Sequence, residues 1–287
     1  MYNLMEQSNS FVVGGKSFMA VAINCAAKAG EWIASRLGNH AKLEQKLSSQ
    51  DLVTEVDKGT ERLIRKLVHT HFPHHSFLGE EGVEPGPEAS SQALADVAQE
   101  EYLWIVDPID GTTNFVHGFP YFSVSIALAH KGEVILGVIY DPMKDELFIA
   151  EKGKGAYVHG KLMKVSGESK LQDSLIATGF PADPQYALPL NMKGLNHLVP
   201  KVRNVRVAGS AALHLAYVAA GRLSGFWEIG LNSWDLAAGV LMVKESGGIV
   251  TDTEGQPYKL GVRNVIASNG AIHDEFVQEL ASAEACK

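Results

Sequence analysis

The stretch Trp104-Ile105-Val106-Asp107-Pro108-Ile109-Asp110-Gly111-Thr112-Thr113-Asn114-Phe115 constrains this chain more than any other. Residues 102–106 are continuously apolar and predict a strand buried on both faces. That strand runs straight into two carboxylates, Asp107 and Asp110. Pro108 biases Asp107 toward extended backbone and withholds one N–H, so the strand is expected to end there. Gly111 permits a turn. Thr112 and Thr113 then open the next segment with free backbone N–H groups. The pattern reads as an acidic metal seat beside an anion-binding helix start.

Three other acidic stretches are candidates for the same site. In Leu78-Gly79-Glu80-Glu81-Gly82, adjacent glutamates sit at a strand end between glycines. Alternation sends their side chains apart, so one or both face a metal. In Asn232-Ser233-Trp234-Asp235-Leu236-Ala237-Ala238-Gly239, Ser233 is the expected N-cap. Asp235 then falls in the first helical turn, where the helix dipole favours an ionised carboxylate. Residues 46–57 contain Lys46, Asp51, Thr54 and Asp57; Thr54 is placed to cap a helix and Asp57 in its first turn. Alone, the glutamate pair reads equally well as a solvated acidic turn, and the 232–239 and 46–57 stretches read first as helix caps.

The rest of the chain supplies a mixed framework. Phe18, Val21, Cys25, Ala29, Trp32 and Ile33 recur at helical spacing and predict a helix over residues 16–37, stopped by Gly38-Asn39. A second helix is expected over 55–70, with a stripe of Val56, Thr60, Leu63, Ile64, Leu67 and Val68. Strands are expected at 76–79, 102–106, 122–129, 134–140, 146–150 and 155–159, the middle ones as hairpins. Residues 82–99 read as a loop on their Pro, Gly, Ser and Ala content. The second half mixes helices at 211–220, 233–246 and 272–280 with strands at 224–229 and 265–268. Helices with mostly antiparallel strands predict layered α/β. Nothing divides the 287 residues cleanly; one domain with two intimately packed halves, about 1–160 and 161–287, is expected.

Charge and composition narrow the function. Lys plus Arg number 25 against 33 Asp plus Glu, a net charge of −8. A chain that binds phosphodiester backbones usually runs basic, so nucleic acid is an unlikely partner. A small phosphorylated substrate remains compatible, because metal ions supply positive charge locally. The two cysteines, Cys25 and Cys286, fit no metal spacing and read as a core thiol and a tail thiol. No membrane span and no secretory signal are read, so a cytoplasmic protein is expected. Three features read as structural: the His69, His71, His74, His75 group as a solvated helix end, Gly153-Lys154-Gly155 as a hairpin turn, and Lys201, Arg203, Arg206 as a solvated strand edge.

Together the four acidic stretches resemble the inositol monophosphatase family of Mg²⁺-dependent, Li⁺-sensitive phosphatases. Asp-Pro-Ile-Asp-Gly-Thr-Thr-Asn-Phe at 107–115 and Trp-Asp-Leu-Ala-Ala-Gly at 234–239 match its two signatures. Asp51-Leu52-Val53-Thr54 with Asp57, and Gly79-Glu80-Glu81, match its other blocks in order. The resemblance spans about residues 16–280.

That resemblance implies a layered αβαβα sandwich, the inositol monophosphatase/sugar phosphatase-like fold. It implies Glu80, Asp107 and the Ile109 carbonyl as ligands of one Mg²⁺, and Asp107, Asp110 and Asp235 as ligands of a second. Glu80 also reaches a third, giving two to three Mg²⁺ per site; Glu81 is near the cluster but less clearly a ligand. Thr112 and Asp57 orient the attacking water together with Glu80. The amides of Gly111 and Thr112 hold phosphate oxygens, while Asp110, Ala211 and Glu228 contact substrate hydroxyls. Lys46 falls on a mobile loop. The Asp-x-x-Asp spacing differs from the Asp-x-Asp of phosphatases with an aspartyl nucleophile, so water rather than Asp107 is the expected nucleophile.

The implied reaction is hydrolysis of a small phosphate monoester, inositol monophosphate first, by a homodimer. Phosphatases of histidinol phosphate, fructose 1,6-bisphosphate or phosphoadenosine phosphate share the motifs. Some bacterial relatives act instead as accessory factors of the transcription machinery.

Overall fold

The computed structural model of the protein describes residues 12–13, 16–37, 43–45, 52–180 and 185–286. Lys46 and Asp51 lie outside the described residues.

Five layers stack in the order αβαβα. The first is α1 (Phe18–Ala34) with α2 (Glu55–His71). Beneath it lies a seven-stranded sheet of β5 (Ser76–Gly79), β6 (Tyr102–Asp110), β7 (Ser123–His130), β8 (Glu133–Asp141), β9 (Glu146–Glu151), β10 (Gly155–Val158) and β11 (Lys161–Leu162), in spatial order 11-10-9-8-7-6-5. Only β5 and β6 run parallel; every other neighbouring pair is antiparallel. The third layer is α6 (Ala211–Ala219) with α7 (Ser233–Glu245). The fourth is a five-stranded sheet of β12 (Leu175–Thr178), β13 (Asn204–Val207), β14 (Gly225–Ile229), β15 (Ile249–Asp252) and β16 (Asn264–Ser268), ordered 13-12-14-16-15. The last is α5 (Ala187–Leu198) with α8 (His273–Ser282).

The layering explains the composition of the elements. Strands β6 and β7 are covered on both faces, so they are buried at every position except Tyr102 and His130 rather than alternating. α7 lies between two sheets, and all its residues from Ser233 to Val243 except Asp235 are buried; a helix apolar all round is one that is buried all round. Contact there is close enough to require glycine: a Cβ on Gly137 of β8 would lie 2.8 Å from the Ala238 carbonyl oxygen. The core between the sheets draws on both halves of the chain, from Leu78 to Ala267.

Several local expectations are corrected. α1 begins at Phe18, because β2 (Lys16–Ser17) pairs instead with β1 (Val12–Val13). Trp32 is 37% exposed rather than buried, with the Arg36 guanidinium 3.2 Å from its ring centroid. Within α2, Leu63 and Leu67 are only half-buried. A second short ribbon joins β3 (Leu43–Gln45) to β4 (Leu52–Thr54).

Residues 82–99 are not a loop: α3 (Pro87–Val97) forms there. Pro87 stands at its first position, where a missing N–H costs nothing, and Leu94 anchors it in the core. The strand expected to stop at Asp107 continues to Asp110 with a register shift between them. Pro108 sits in that irregularity, where no ladder N–H is required. The histidines are partly a packing device. His75 stacks on Phe72 and Tyr102, and its Nδ1 accepts the Trp104 indole N–H at 3.0 Å.

Candidate active site

The C-terminal end of β6 opens a cavity of about 810 Å³ between the sheets. Six carboxylates line it: Glu80 and Glu84, Asp107, Asp110, Glu228 and Asp235. They arrive from four separate places. Glu80 opens a single 3-10 turn (Glu80–Gly82) after β5. Asp107 and Asp110 flank the β6 irregularity, Glu228 lies on β14, and Asp235 lies in the first turn of α7. One carboxylate oxygen from each of Asp107, Asp110 and Asp235 falls within 4.8 Å of the others.

The three aspartates are each held by hydrogen bonds. Asp107 Oδ1 accepts the Ile109 N–H at 2.9 Å. Asp110 accepts the Ser210 hydroxyl, the Ala211 N–H at 3.2 Å and the Ala212 N–H at 2.8 Å, so it closes the N-terminus of α6 from across the cavity. Asp235 Oδ2 accepts the Asn232 N–H at 2.6 Å. The N-cap of α7 is therefore Asn232, not Ser233; Ser233 is the first helical residue. The Arg263 guanidinium donates to the Asn232 side chain and to the Gly230 carbonyl, which fixes that cap in turn.

Beyond the carboxylates, Gly111 adopts left-handed backbone at φ +101 and starts α4 (Thr112–Val116). A Cβ there would lie 3.0 Å from the Gly209 carbonyl oxygen. The Thr112 hydroxyl donates to Asp57 Oδ1 at 3.0 Å and approaches the Ile109 carbonyl at 3.1 Å. The Asn114 amide donates to the carbonyls of Tyr121 and Ala208, latching α4 to the segment before α6. Ile109, Gly111, Thr112 and Ala211 all reach the cavity wall. Asp57 is buried behind Thr112. Glu81 does not line the cavity; its N–H turns back to Glu61.

The electrostatics follow from burial of like charges. Burial holds Asp107 well above the usual carboxylate range, and Glu80, Asp110 and Asp235 add to it. Burial also raises Asp110, to about 6, against the opposing bonds from Ser210 and the α6 amides. Asp235 is pushed up to about 8 by burial and by Asp110 and Glu80. Glu228 is raised by burial and then by Asp235 and Asp110. A set of hard oxygen donors that resist ionisation side by side fits a hard divalent cation.

Sequence reasoning missed the residues that hold these groups. Glu61, Gly179, Ser210, Asn114, Asn232 and Arg263 act on partners distant in sequence or across loops. Gly179 makes room for Glu228: a Cβ there would lie 2.2 Å from Glu228 Oε2. No local pattern in the sequence marked this role.

A layered α/β sandwich with carboxylates converging beside the Gly111–Thr112 turn fits a phosphoric monoester hydrolase, the class of its relatives. A sequence profile of the inositol monophosphatase family matches residues 16–285, and the chain belongs to that family. It is 42% identical over 271 residues to inositol monophosphatase 2 of Solanum lycopersicum, covering 94% of this chain and all of that one. It is also 39% identical to the Nus factor SuhB of Pseudomonas aeruginosa, covering 87% and 90% of the two chains. Among solved structures, an IMPase from Thermotoga maritima superposes with a TM-score of 0.82 at 36% identity, covering 93% and 97%.

Proposed function

We propose that this chain hydrolyses a polyol phosphate, inositol monophosphate first, using Mg²⁺ held by Glu80, Asp107, Asp110, Asp235 and the Ile109 carbonyl, with two to three ions per site. The observation that carries this reading is the approach of Asp107, Asp110 and Asp235 within 4.8 Å beside the Thr112–Asp57 hydrogen bond. When bound, the metal supplies positive charge against the transferring phosphoryl group and favours deprotonation of the attacking water.

The chain's own groups do the rest. Thr112 gives its hydroxyl hydrogen to Asp57, so its oxygen lone pairs are left to accept from the incoming water. Glu80 receives the second hydrogen of that water, fixing the lone pair toward phosphorus. The amides of Gly111 and Thr112 hold the phosphate oxygens. Asp110 and Ala211 meet the hydroxyls on one side of the alcohol and Glu228 on the other. A buried carboxylate raised by its surroundings, as Glu228 is, binds a hydroxyl as acceptor when ionised and as donor when protonated.

Homologues titled inositol monophosphatase support the polyol. Turnover of inositol monophosphate, histidinol phosphate, fructose 1,6-bisphosphate and phosphoadenosine phosphate with Mg²⁺ tests it. Inositol monophosphate should lead; if it is slower than histidinol phosphate by about a hundredfold, the polyol assignment is wrong. The same reading carries a homodimer, Li⁺ inhibition and a cytoplasmic setting, tested by sedimentation, Li⁺ titration and fractionation.

Relatives titled Nus factor suggest a second role in transcription. The basic run from Lys201 to Arg206 is its candidate surface. Lys201 pairs with Glu279, and Arg203 lies 3.7 Å from Asp173, so part of that charge is already met within the chain.

A further inference from the structure

We propose that Glu61 is a positioning residue: its buried carboxylate fixes the turn that carries Glu80 into the acidic cluster. This rests on the metal-dependent reading above.

Asp57 and Glu61 stand four residues apart on α2, one turn and about 6 Å along the axis, and share one face. Both are buried, and a buried carboxylate requires partners. One partner of Asp57 is Thr112. Glu61 Oε2 accepts the Glu81 N–H at 2.7 Å, and Oε1 accepts Arg65 Nη2 at 3.0 Å. Arg65 is itself placed over β5, its guanidinium carbon 4.1 Å from the Phe77 ring centroid.

The same carboxylate presses on the residue before Glu80. Gly79 has ordinary extended backbone, φ −119 and ψ 150, so its conformation does not call for glycine. Space does: a Cβ at Gly79 would lie 2.3 Å from Glu61 Oε2. One side chain therefore touches the α-carbon before Glu80 and bonds the amide after it. With both flanks of Glu80 pinned, its side chain faces the cavity while that of Glu81 does not. Gly79 is paired to Val106 in β6, beside Asp107, so any movement of this turn changes the distance from Glu80 to Asp107. An ion pair serving only α2 would need neither an amide twenty residues away nor a missing Cβ on β5. α2 thus sets two parts of the site at once, Thr112 through Asp57 and Glu80 through Glu61.

The test compares wild type with Glu61→Gln, Glu61→Ala and Gly79→Ala, first as metal-free full-length proteins. The Mg²⁺ concentration giving half the maximal thermal shift is measured, and then the Mg²⁺ dependence of phosphate release. Glu61→Ala should raise both half-points about tenfold or more, as loss of an outer support for a metal ligand does. Its rate at saturating Mg²⁺ should return to near the wild-type value. Glu61→Gln keeps an acceptor for the Glu81 N–H and should be shifted less.

Gly79→Ala displaces the carboxylate and should reproduce the Glu61→Ala defect, and the double variant should be no worse than either single one. If Glu61→Ala does not fold, Glu61→Gln and Gly79→Ala decide the matter by the same half-points. A Glu61→Ala protein that is less stable yet has wild-type Mg²⁺ half-points would overturn the proposal, as would additive defects in the double variant. A wild type with neither thermal shift nor phosphate release would overturn the metal-dependent reading itself, which is a different result.

Discussion

The Thr112 hydroxyl donates to the Asp57 carboxylate at 3.0 Å across 55 residues of sequence. One partner opens α4 and the other lies in the first turn of α2. The same hydroxyl lies 3.1 Å from the Ile109 carbonyl; in the function proposed above its one hydrogen goes to Asp57, which leaves the oxygen as an acceptor on the cavity side.

Thr112→Val keeps the shape and removes that acceptor. The expected result is a fall in kcat of about a hundredfold, the scale of a misplaced nucleophile, with little change in KM. Steady-state kinetics on inositol monophosphate check it. Asp57→Asn should fall with it, and the double variant should lose no more than the worse single one, because the two residues act as a unit.

Removing metal should make stability fall as pH rises. Asp235 has a folded pKa of about 8, raised above its ordinary value. The folded chain therefore keeps a proton that the unfolded chain has lost. The stabilisation is fully present below about pH 4 and is lost as pH rises through 8, at up to about 1.4 kcal/mol per pH unit. Urea unfolding of the metal-free protein between pH 6.5 and 8 should show this decline. Asp235→Asn should flatten it in part, Asp107 and Glu228 retaining a share.

His214 gives the opposite slope at lower pH. It is buried against the rings of Tyr121 and Phe226, and neither ring nitrogen has a hydrogen-bond partner among the described residues. Burial lowers its pKa to about 3. The unfolded chain takes up the proton first, so stability is present above about pH 6.5 and is lost as pH falls toward 3. His214→Phe should remove that loss and stabilise the protein by about 1 kcal/mol at pH 7, since an unmet buried polar group is replaced by an apolar ring. Unfolding curves at pH 7 and pH 5 separate the two effects.

What could be read in the chain, and what could not, divides by range. Asp107, Asp110, Asp235 and Glu80 were legible because each ends an apolar strand or begins a helix, a local pattern. Gly111 was legible for the same reason. The helix at Pro87 was hidden because Pro, Gly and Ser read as breakers, whereas Pro87 occupies the one helical position that suits it. The extension of β6 past Pro108 depends on its pairing to β7, which lies outside the motif. Glu61, Ser210 and Arg263 were invisible because their partners are between 20 and 100 residues away. Glycines 79 and 179 gave no sign of the carboxylates that fill the space of their missing side chains.

Direct calorimetric titration of the metal-free protein with Mg²⁺ tests the convergence of these carboxylates most plainly. Saturable binding in wild type, abolished in Asp107→Asn, is the expected result. Absence of binding in wild type, or equal binding in Asp107→Asn, would contradict the account.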